Sequence, residues 1–189
     1  MEILYKFYSD ESEYATLNLE NGIVSFSSID SLNDPFEGIG TYLYRTFENE
    51  RALWSSLNCS NFPKVMEEMA LEDGYHMMTF QYRIFSTTKE FDNPLLWAYY
   101  ANSHKGFCVG YDKKSISNIS DEIFDINYCD TMLHFEEFDA EACKKLLSIK
   151  STEWRIENEC RALYIVKKSD ISHLPYNDTL CESIDSKKL

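Results

Sequence analysis

The segment from residue 154 to residue 166 constrains the fold most strongly, because its charged and apolar residues follow one another at fixed spacing. Glu157, Glu159 and Arg161 recur at every second position, as residues on one face of a β-strand do. The continuation, residues 162–166, is apolar on both faces, which indicates a buried strand. Buried carboxylates are costly to desolvate, so they need an arginine, a hydrogen-bond network or a ligand as partner. The sequence therefore predicts a functional or ion-paired site where this strand begins.

Composition indicates one globular domain with a negative surface. A chain of 189 residues with 44% apolar and 15% aromatic residues is long enough to bury a core. The last residues of the chain are polar, so we expect a domain over residues 1–167 and a tail over residues 168–189. A net charge of −14 repels phosphate backbones, which argues against nucleic acid as a partner. A local cationic pocket is compatible with this charge if Lys6, Arg83, Lys105 and Arg161 converge.

The cysteines and the N-terminus favour the cytoplasm. Six cysteines stand at irregular spacing without a CxxC pair, which is typical of free thiols in a reducing compartment. The first residues lack the basic and apolar regions of a signal peptide, and no apolar run approaches the ~20 residues of a membrane span. We therefore expect a cytoplasmic protein that does not contact the membrane.

Alternation and helical spacing predict an α+β domain. Strands are predicted at residues 3–8, 23–27, 77–86, 107–112, 123–129 and 159–166. Helices are predicted at residues 11–19, 48–57, 61–72 and 138–148, and from residue 94 to near residues 104–106. The sequence shows no internal repeat and no linker between domains.

Several short motifs occur in a fixed order along the chain. They are Leu-Tyr-Lys at 4–6, Asn-Asp-Pro-Phe-Glu at 33–37, Phe-Ser at 85–86, Trp-Ala-Tyr-Tyr-Ala at 97–101, His-Lys-Gly-Phe-Cys-Val-Gly-Tyr at 104–111, and Trp154 with Glu157, Glu159 and Arg161. In this order they resemble a bacterial family known as domain of unknown function 2971. The resemblance covers about residues 3–166. It implies relatives but no activity.

A remoter resemblance is to the ADP-ribosyltransferase fold. It implies small mixed or split β-sheets, flanked by helices, that clamp a nicotinamide dinucleotide such as NAD. In that fold a His or Arg on the first strand holds the cofactor, a later serine-bearing element shapes the nicotinamide pocket, and a late-strand Glu polarises the ribose. Here Lys6 occupies the first-strand position, and an ammonium group lacks the bidentate fork of a guanidinium. Ser27 or Ser86 matches the middle element, and Glu159 matches the late strand.

The resemblance implies a role for each acid of this strand. Glu159 would stabilise the oxocarbenium-like centre that forms when the nicotinamide bond breaks, and Glu157 would activate the acceptor as general base. Both acids are alternatively expected to pair with Arg155, Arg161 or Lys6. The residues that we expect at the cofactor are Tyr5, Lys6, Ser27, Ser86, Trp97, Tyr100, Lys105 and Arg161.

Three of the other motifs each have a structural alternative. Asn33, Asp34 and Glu37 form a loop that orients a substrate or metal, or a turn that bonds to itself. Lys105 contacts a phosphate, or simply precedes a glycine at a helix end. The aromatic residues 97–100 stack on a base, or pack in the core.

Three functions remain open at this level. The first is an ADP-ribosyltransferase-like enzyme that takes a small-molecule nucleotide and transfers to a protein acceptor or to water. The second is a metal-dependent phosphoester hydrolase in which Asp34, Glu37, Glu157 and Glu159 bind Mg²⁺. The third is a noncatalytic module that binds a ligand or a protein. The four histidines show no metal-ligand spacing, so the sequence assigns no metal.

Overall fold

The computed structural model of the chain describes residues 1–34, 82–131, 140–166 and 180–183. Several sequence predictions lie outside these ranges. They are the helices at 48–57 and 61–72, the start of the strand at 77–86, residue Glu37, and most of the tail at 168–189.

The described part of the chain consists of short strands and short helices. The strands are β1 (Ile3–Tyr8), β2 (Ile23–Phe26), β3 (Tyr82–Thr88), β4 (Phe107–Asp112), β5 (Glu122–Asp125), β6 (Asn127–Tyr128), β7 (Ile149–Lys150), β8 (Glu159–Ile165) and β9 (Leu180–Ser183). The α-helices are α1 (Glu13–Asn21), α2 (Pro94–Tyr100), α3 (Lys113–Ser117) and α4 (Ala140–Leu147). Two 3-10 helices cover Ile29–Ser31 and Thr152–Glu157.

The largest sheet has five antiparallel strands in the order β4, β1, β3, β8, β5. Strand β3 lies between β1 and β8, although these two strands come from opposite ends of the described chain. In the register of β3 and β8, Ser86 is opposite Arg161 and Thr88 is opposite Glu159. On the other side of β3, Thr88 is opposite Tyr5. The first, middle and late strands of the sequence are therefore neighbours at one end of the sheet.

Two small sheets accompany the large one, so the α+β class is confirmed. Strands β2 and β9 are antiparallel, and β6 and β7 are parallel. A bridge between Ser27 and Ile84 ties β2 to β3. Strand β9 belongs to the region predicted as a polar tail, and the sequence prediction did not include it. Among the described residues, no helix has the length and apolar character that crossing a bilayer requires.

The two faces of the large sheet carry separate apolar clusters. On one face, Phe85 of β3 packs with Phe26 and Tyr164. On the other face, Ile84 and Leu163 pack with residues of α4. The prediction that the strand beginning at residue 159 is buried on both faces is confirmed, because every residue of β8 except its last is buried. Charged side chains at the start of β8 are therefore enclosed by the core unless a cleft reaches them.

Candidate functional site

A cleft of about 210 Å³ opens where β1, β3 and β8 lie side by side. Two exposed residues that line it, Ser31 and Asn33, connect it to solvent. The lining residues are Tyr5, Lys6, Phe7, Ser27, Ser31, Leu32, Asn33, Ile84, Ser86, Thr87, Thr88, Leu96, Tyr100, Lys150, Glu157, Glu159 and Arg161.

Glu159 is held by two cations at the cleft wall, where its side chain is 5% exposed. Its Oε1 accepts a hydrogen bond from Arg161 Nε at 2.6 Å, and its Oε2 accepts from Arg161 NH2 at 3.1 Å. Lys150 Nζ donates to the same Oε2 at 3.1 Å. A carboxylate offers about four lone-pair sites, so these three donors leave one on Oε1 for a further partner.

Glu157 shares Lys150 with Glu159. Lys150 Nζ donates to Glu157 Oε2 at 2.6 Å, and the hydroxyl of Tyr100 donates a short hydrogen bond to Glu157 Oε1. Asn33, at the exposed end of the cleft, forms a side-chain hydrogen bond with Tyr100. One lysine thus joins the two acids, and the network runs from solvent to the cleft wall.

The electrostatics of this network follow from its burial. Burial raises the pKa of Glu159, and the nearby charge of Lys150 opposes that increase. Burial acts to lower the pKa of Lys150, but the charges of Glu159 and Glu157 outweigh it, and the pKa is raised. Burial lowers the pKa of Arg161, against which the charge of Asp34 acts. The ionisation of Lys150, Glu159 and Arg161 therefore depends on the charges of their neighbours.

A tight turn brings the two acids to the same lysine. The 3-10 helix ends at Glu157, and Asn158 follows in the left-handed region with φ 42°. Asparagine tolerates this conformation better than most residues do. Its side chain donates to the Glu90 carboxylate at 3.1 Å, which fixes the turn. The period-two spacing placed Glu157 on one strand face with Glu159 and Arg161, whereas the structure places Glu157 in the 3-10 helix and begins the strand at Glu159, the first residue of the predicted strand.

Lys6 reaches the cleft from β1. Its Nζ donates to the backbone oxygen of Ser86 at 2.9 Å. The Ser86 hydroxyl approaches the Glu159 carboxylate and limits the increase in its pKa. In the part of the chain that the structure describes, however, this hydroxyl is buried without a hydrogen bond. The Ser86 hydroxyl can therefore donate either to the Glu159 carboxylate or to a ligand in the cleft.

Most of the residues predicted at the site lie around this one cleft. Those that line it are Tyr5, Lys6, Ser27, Asn33, Ser86, Tyr100, Glu157, Glu159 and Arg161. Asp34 is buried close enough to Arg161 for its charge to act there. Glu37 lies outside the described residues.

Trp97 and Lys105 do not line the cleft, which corrects the expectation that they contact a cofactor. The Trp97 ring packs edge-on against Phe7, with ring centres 5.1 Å apart, and its indole N–H donates to the Phe91 oxygen at 2.7 Å. Lys105 is exposed in the turn after α2. The adjacent Gly106 packs so closely that a Cβ there would lie 1.9 Å from the Tyr8 oxygen. This motif therefore serves the fold.

Sequence reasoning missed Lys150, the residue that links the two acids. It follows the apolar end of α4 in a short polar stretch, which is typical of a loop lysine. Its partners lie seven and nine residues further along the chain, beyond a 3-10 helix and a turn. No local pattern marks such a pair.

The described residues give no support to a metal centre. They contain no group of three or more His, Cys, Asp or Glu side chains that is placed to hold a metal ion. The oxygens of Glu157 and Glu159 already accept hydrogen bonds from Lys150, Arg161 and Tyr100. A divalent cation would have to compete with these positive charges.

Residues 96–162 match the model of a family described as Protein of unknown function (DUF2971). The match covers about a third of the chain and supports the similarity to this family. The match includes Tyr100, Lys150, Glu157, Glu159 and Arg161. It begins at residue 96, so Lys6 and Ser86 lie before it. No curated protein and no solved structure matches the chain significantly.

Proposed function

We propose that this chain is an ADP-ribosyltransferase-like enzyme whose cleft takes the nicotinamide ribose of a nicotinamide dinucleotide. The observation that supports this most is the placement of Lys6, Ser86 and Glu159. They come from the first, a middle and a late strand, lie on three neighbouring strands, and line one cleft. The resemblance to the ADP-ribosyltransferase fold implies a cofactor-binding residue, a serine and a glutamate in this order.

Glu159 has the chemistry that cleavage of a nicotinamide bond requires. Positive charge develops on the ribose as the bond breaks, and a carboxylate in a poorly solvated cleft stabilises it. The lone-pair site left on Oε1 can accept the hydrogen bond of a ribose hydroxyl. Arg161 and Lys150 hold the carboxylate in one orientation, so little reorganisation accompanies the reaction.

Glu157 is the second acid of the proposed reaction. Its side chain lines the same cleft, and Lys150 and Tyr100 fix its position. A carboxylate at this place can accept the proton of the attacking acceptor group. Water as acceptor gives glycohydrolysis, and a protein side chain gives transfer.

The test measures nicotinamide release from NAD, and NAD binding, for the purified protein and three variants. We expect Glu159→Gln to lower the rate about 100-fold or more, because it removes the charge that stabilises the transition state. Lys6→Met tests the cofactor contact, and Lys105→Met is its matched control. Both lysines were predicted at the cofactor, but only Lys6 of these two lines the cleft, so only Lys6→Met should weaken binding of NAD.

Circular dichroism and thermal unfolding of each variant separate lost chemistry from lost folding. Equal rates for the wild type and a folded Glu159→Gln variant would refute the catalytic role. If the wild-type protein released no nicotinamide, the proposal that the chain is an ADP-ribosyltransferase-like enzyme would be refuted.

A second candidate is a noncatalytic site for a small ligand. It is favoured by the contacts within the protein, which occupy three of the roughly four lone-pair sites of the Glu159 carboxylate and two of those of Glu157. Binding of NAD that is measured by calorimetry, depends on Lys6 and is never followed by nicotinamide release would support this candidate over the enzyme.

A further inference from the structure

The two lysines of the cleft, Lys6 and Lys150, have contrasting surroundings. Two carboxylates lie within 3.1 Å of Lys150 Nζ. Lys6 Nζ donates to a neutral acceptor instead, the backbone oxygen of Ser86 at 2.9 Å. Across residues 1–34, 82–131, 140–166 and 180–183, no carboxylate forms an ion pair with Lys6. One lysine is therefore fixed as a cation by its partners, and the other is not.

Aromatic rings form much of the remaining environment of Lys6. Its Nζ lies 4.8 Å from the centre of the Phe85 ring and 6.0 Å from that of Tyr8. Burial lowers the pKa of Lys6 to about 8, although the charge of Glu159 raises it. A substantial fraction of this amine is therefore neutral near pH 8, while ordinary lysines remain almost fully protonated.

Among the residues that the structure describes, several titratable groups line the cleft together with Lys6. They are Tyr5 on the same strand, Tyr100 on α2, Lys150 on β7, Glu157 on the 3-10 helix, and Glu159 and Arg161 on β8. Tyr8, also on β1, faces Lys6 with its ring. Glu159 is the group whose charge acts on Lys6.

We propose that the Lys6 amine forms an imine with small aldehydes that enter the cleft, including the open-chain form of a ribose with a free anomeric carbon. This goes beyond the proposed function, since imine formation needs no dinucleotide. A neutral amine with access to a ligand and no ion pair is the form that attacks a carbonyl. Lys6 meets these conditions by its position at the cleft wall and by its neutral hydrogen-bond partner.

The reaction balances without an oxidant or a reductant. The nitrogen lone pair attacks the carbonyl carbon and gives a carbinolamine. The carbon–oxygen bond then breaks, the carbon–nitrogen double bond forms, and the former carbonyl oxygen leaves as water with both amine protons. Lys150 cannot begin this sequence, because its carboxylate partners hold it in the protonated form.

The test treats the full chain with ribose 5-phosphate and cyanoborohydride at pH 7.5, and locates the reduced adducts by peptide mass spectrometry. Cyanoborohydride converts the imine to a stable secondary amine. We expect Lys6 to be labelled on the order of tenfold faster than the exposed Lys105, because burial enlarges the neutral fraction of the Lys6 amine at pH 7.5. We expect no label on Lys150, which lies in the same cleft and controls for access.

Two further measurements complete the experiment. The rate at Lys6 should level off about one pH unit above its pKa of about 8, where its amine is mostly neutral, while the rate of a lysine in a short unstructured peptide keeps rising. Lys6→Arg keeps the charge but removes the amine, and should lose the Lys6 adduct alone. Labelling of Lys6 no faster than Lys105, or equal labelling of Lys6 and Lys150, would overturn the proposal.

Discussion

The ammonium group of Lys150 lies 2.6 Å from the carboxylate of Glu157, and the two side chains are only 5% and 6% exposed. A buried pair of this kind gains little net stability over apolar residues, because both charges lose their hydration. Removal of one member is costly, however, since it leaves the other charge buried without a partner. The stability of the cleft wall therefore depends on this lysine.

Lys150→Met should lower the free energy of unfolding by about 3–5 kcal/mol, because it leaves Glu157 and Glu159 without their shared cation. Urea denaturation monitored by circular dichroism measures this change. The matched control is Lys89→Met, which breaks a surface pair with Asp125 and should cost less than about 1 kcal/mol. Equal losses in the two variants would contradict the buried network.

Tyr100→Phe should cost about 1–3 kcal/mol, because it removes the hydroxyl that donates to the charged Glu157. The neighbouring Tyr99 is 62% exposed, so Tyr99→Phe should change stability by less than about 0.5 kcal/mol. Urea denaturation of both variants gives the comparison. If the two substitutions had the same effect, the hydrogen bond to Glu157 would not contribute to stability.

Lys6→Met should change stability in a way that depends on pH. The pKa of Lys6 is about 8 in the folded chain and near its ordinary value of about 10.4 when unfolded. Between these values the unfolded chain binds more protons, so the wild type gains stability as pH rises from 8 to 10.4. Below pH 8 the cost of burying the charged amine is fully present.

The variant lacks this titration, so its stability relative to the wild type should be highest at pH 7 and lowest near pH 10.4. We expect the difference to fall by about 1–3 kcal/mol across that window. Denaturant unfolding of both proteins at pH 7, 9 and 10.4 measures this difference in stability. The first pH value lies below the folded pKa of Lys6 and the other two lie above it. A constant difference would show that burial does not shift the pKa of Lys6.

Gly106→Ala should destabilise the fold by about 1–3 kcal/mol, because the added Cβ would lie 1.9 Å from the backbone oxygen of Tyr8. Gly110→Ala, on the strand β4 that follows Gly106, is the control. Its nearest neighbour is a side-chain atom of Ile3 at 2.9 Å, which can move, so the loss should be smaller. Thermal unfolding of the two variants compares them, and a larger loss at Gly110 would contradict this account.

Local patterns identified most of the described elements. The strands at 3–8 and 107–112 were predicted at their observed bounds, and the helix at 138–148 is observed over Ala140–Leu147 within the described residues. The predicted strand at 123–129 is interrupted, because β5 and β6 belong to different sheets. Side-chain alternation reports that a segment is extended, but not which strand it pairs with.

The sequence predicted Glu157, Glu159 and the first-strand Lys6 as residues of one site, but it could not separate Tyr100 from Trp97. Both aromatics lie on α2, yet Tyr100 lines the cleft and Trp97 packs against Phe7. Helical spacing gives the relative direction of two side chains. Which direction faces a cleft depends on how the helix is placed on the sheet.

The amino-acid sequence by itself determined the buried character of β8, the acidic charges at its start and the class of the fold, because each follows from spacing within a few neighbouring residues. Only the tertiary structure decided that Lys6 contacts Ser86, 80 positions away, and that Lys150 joins Glu157 to Glu159. Contacts of this kind depend on strand order, register and turn geometry. Those are set by packing of the whole chain, so no local pattern contains them.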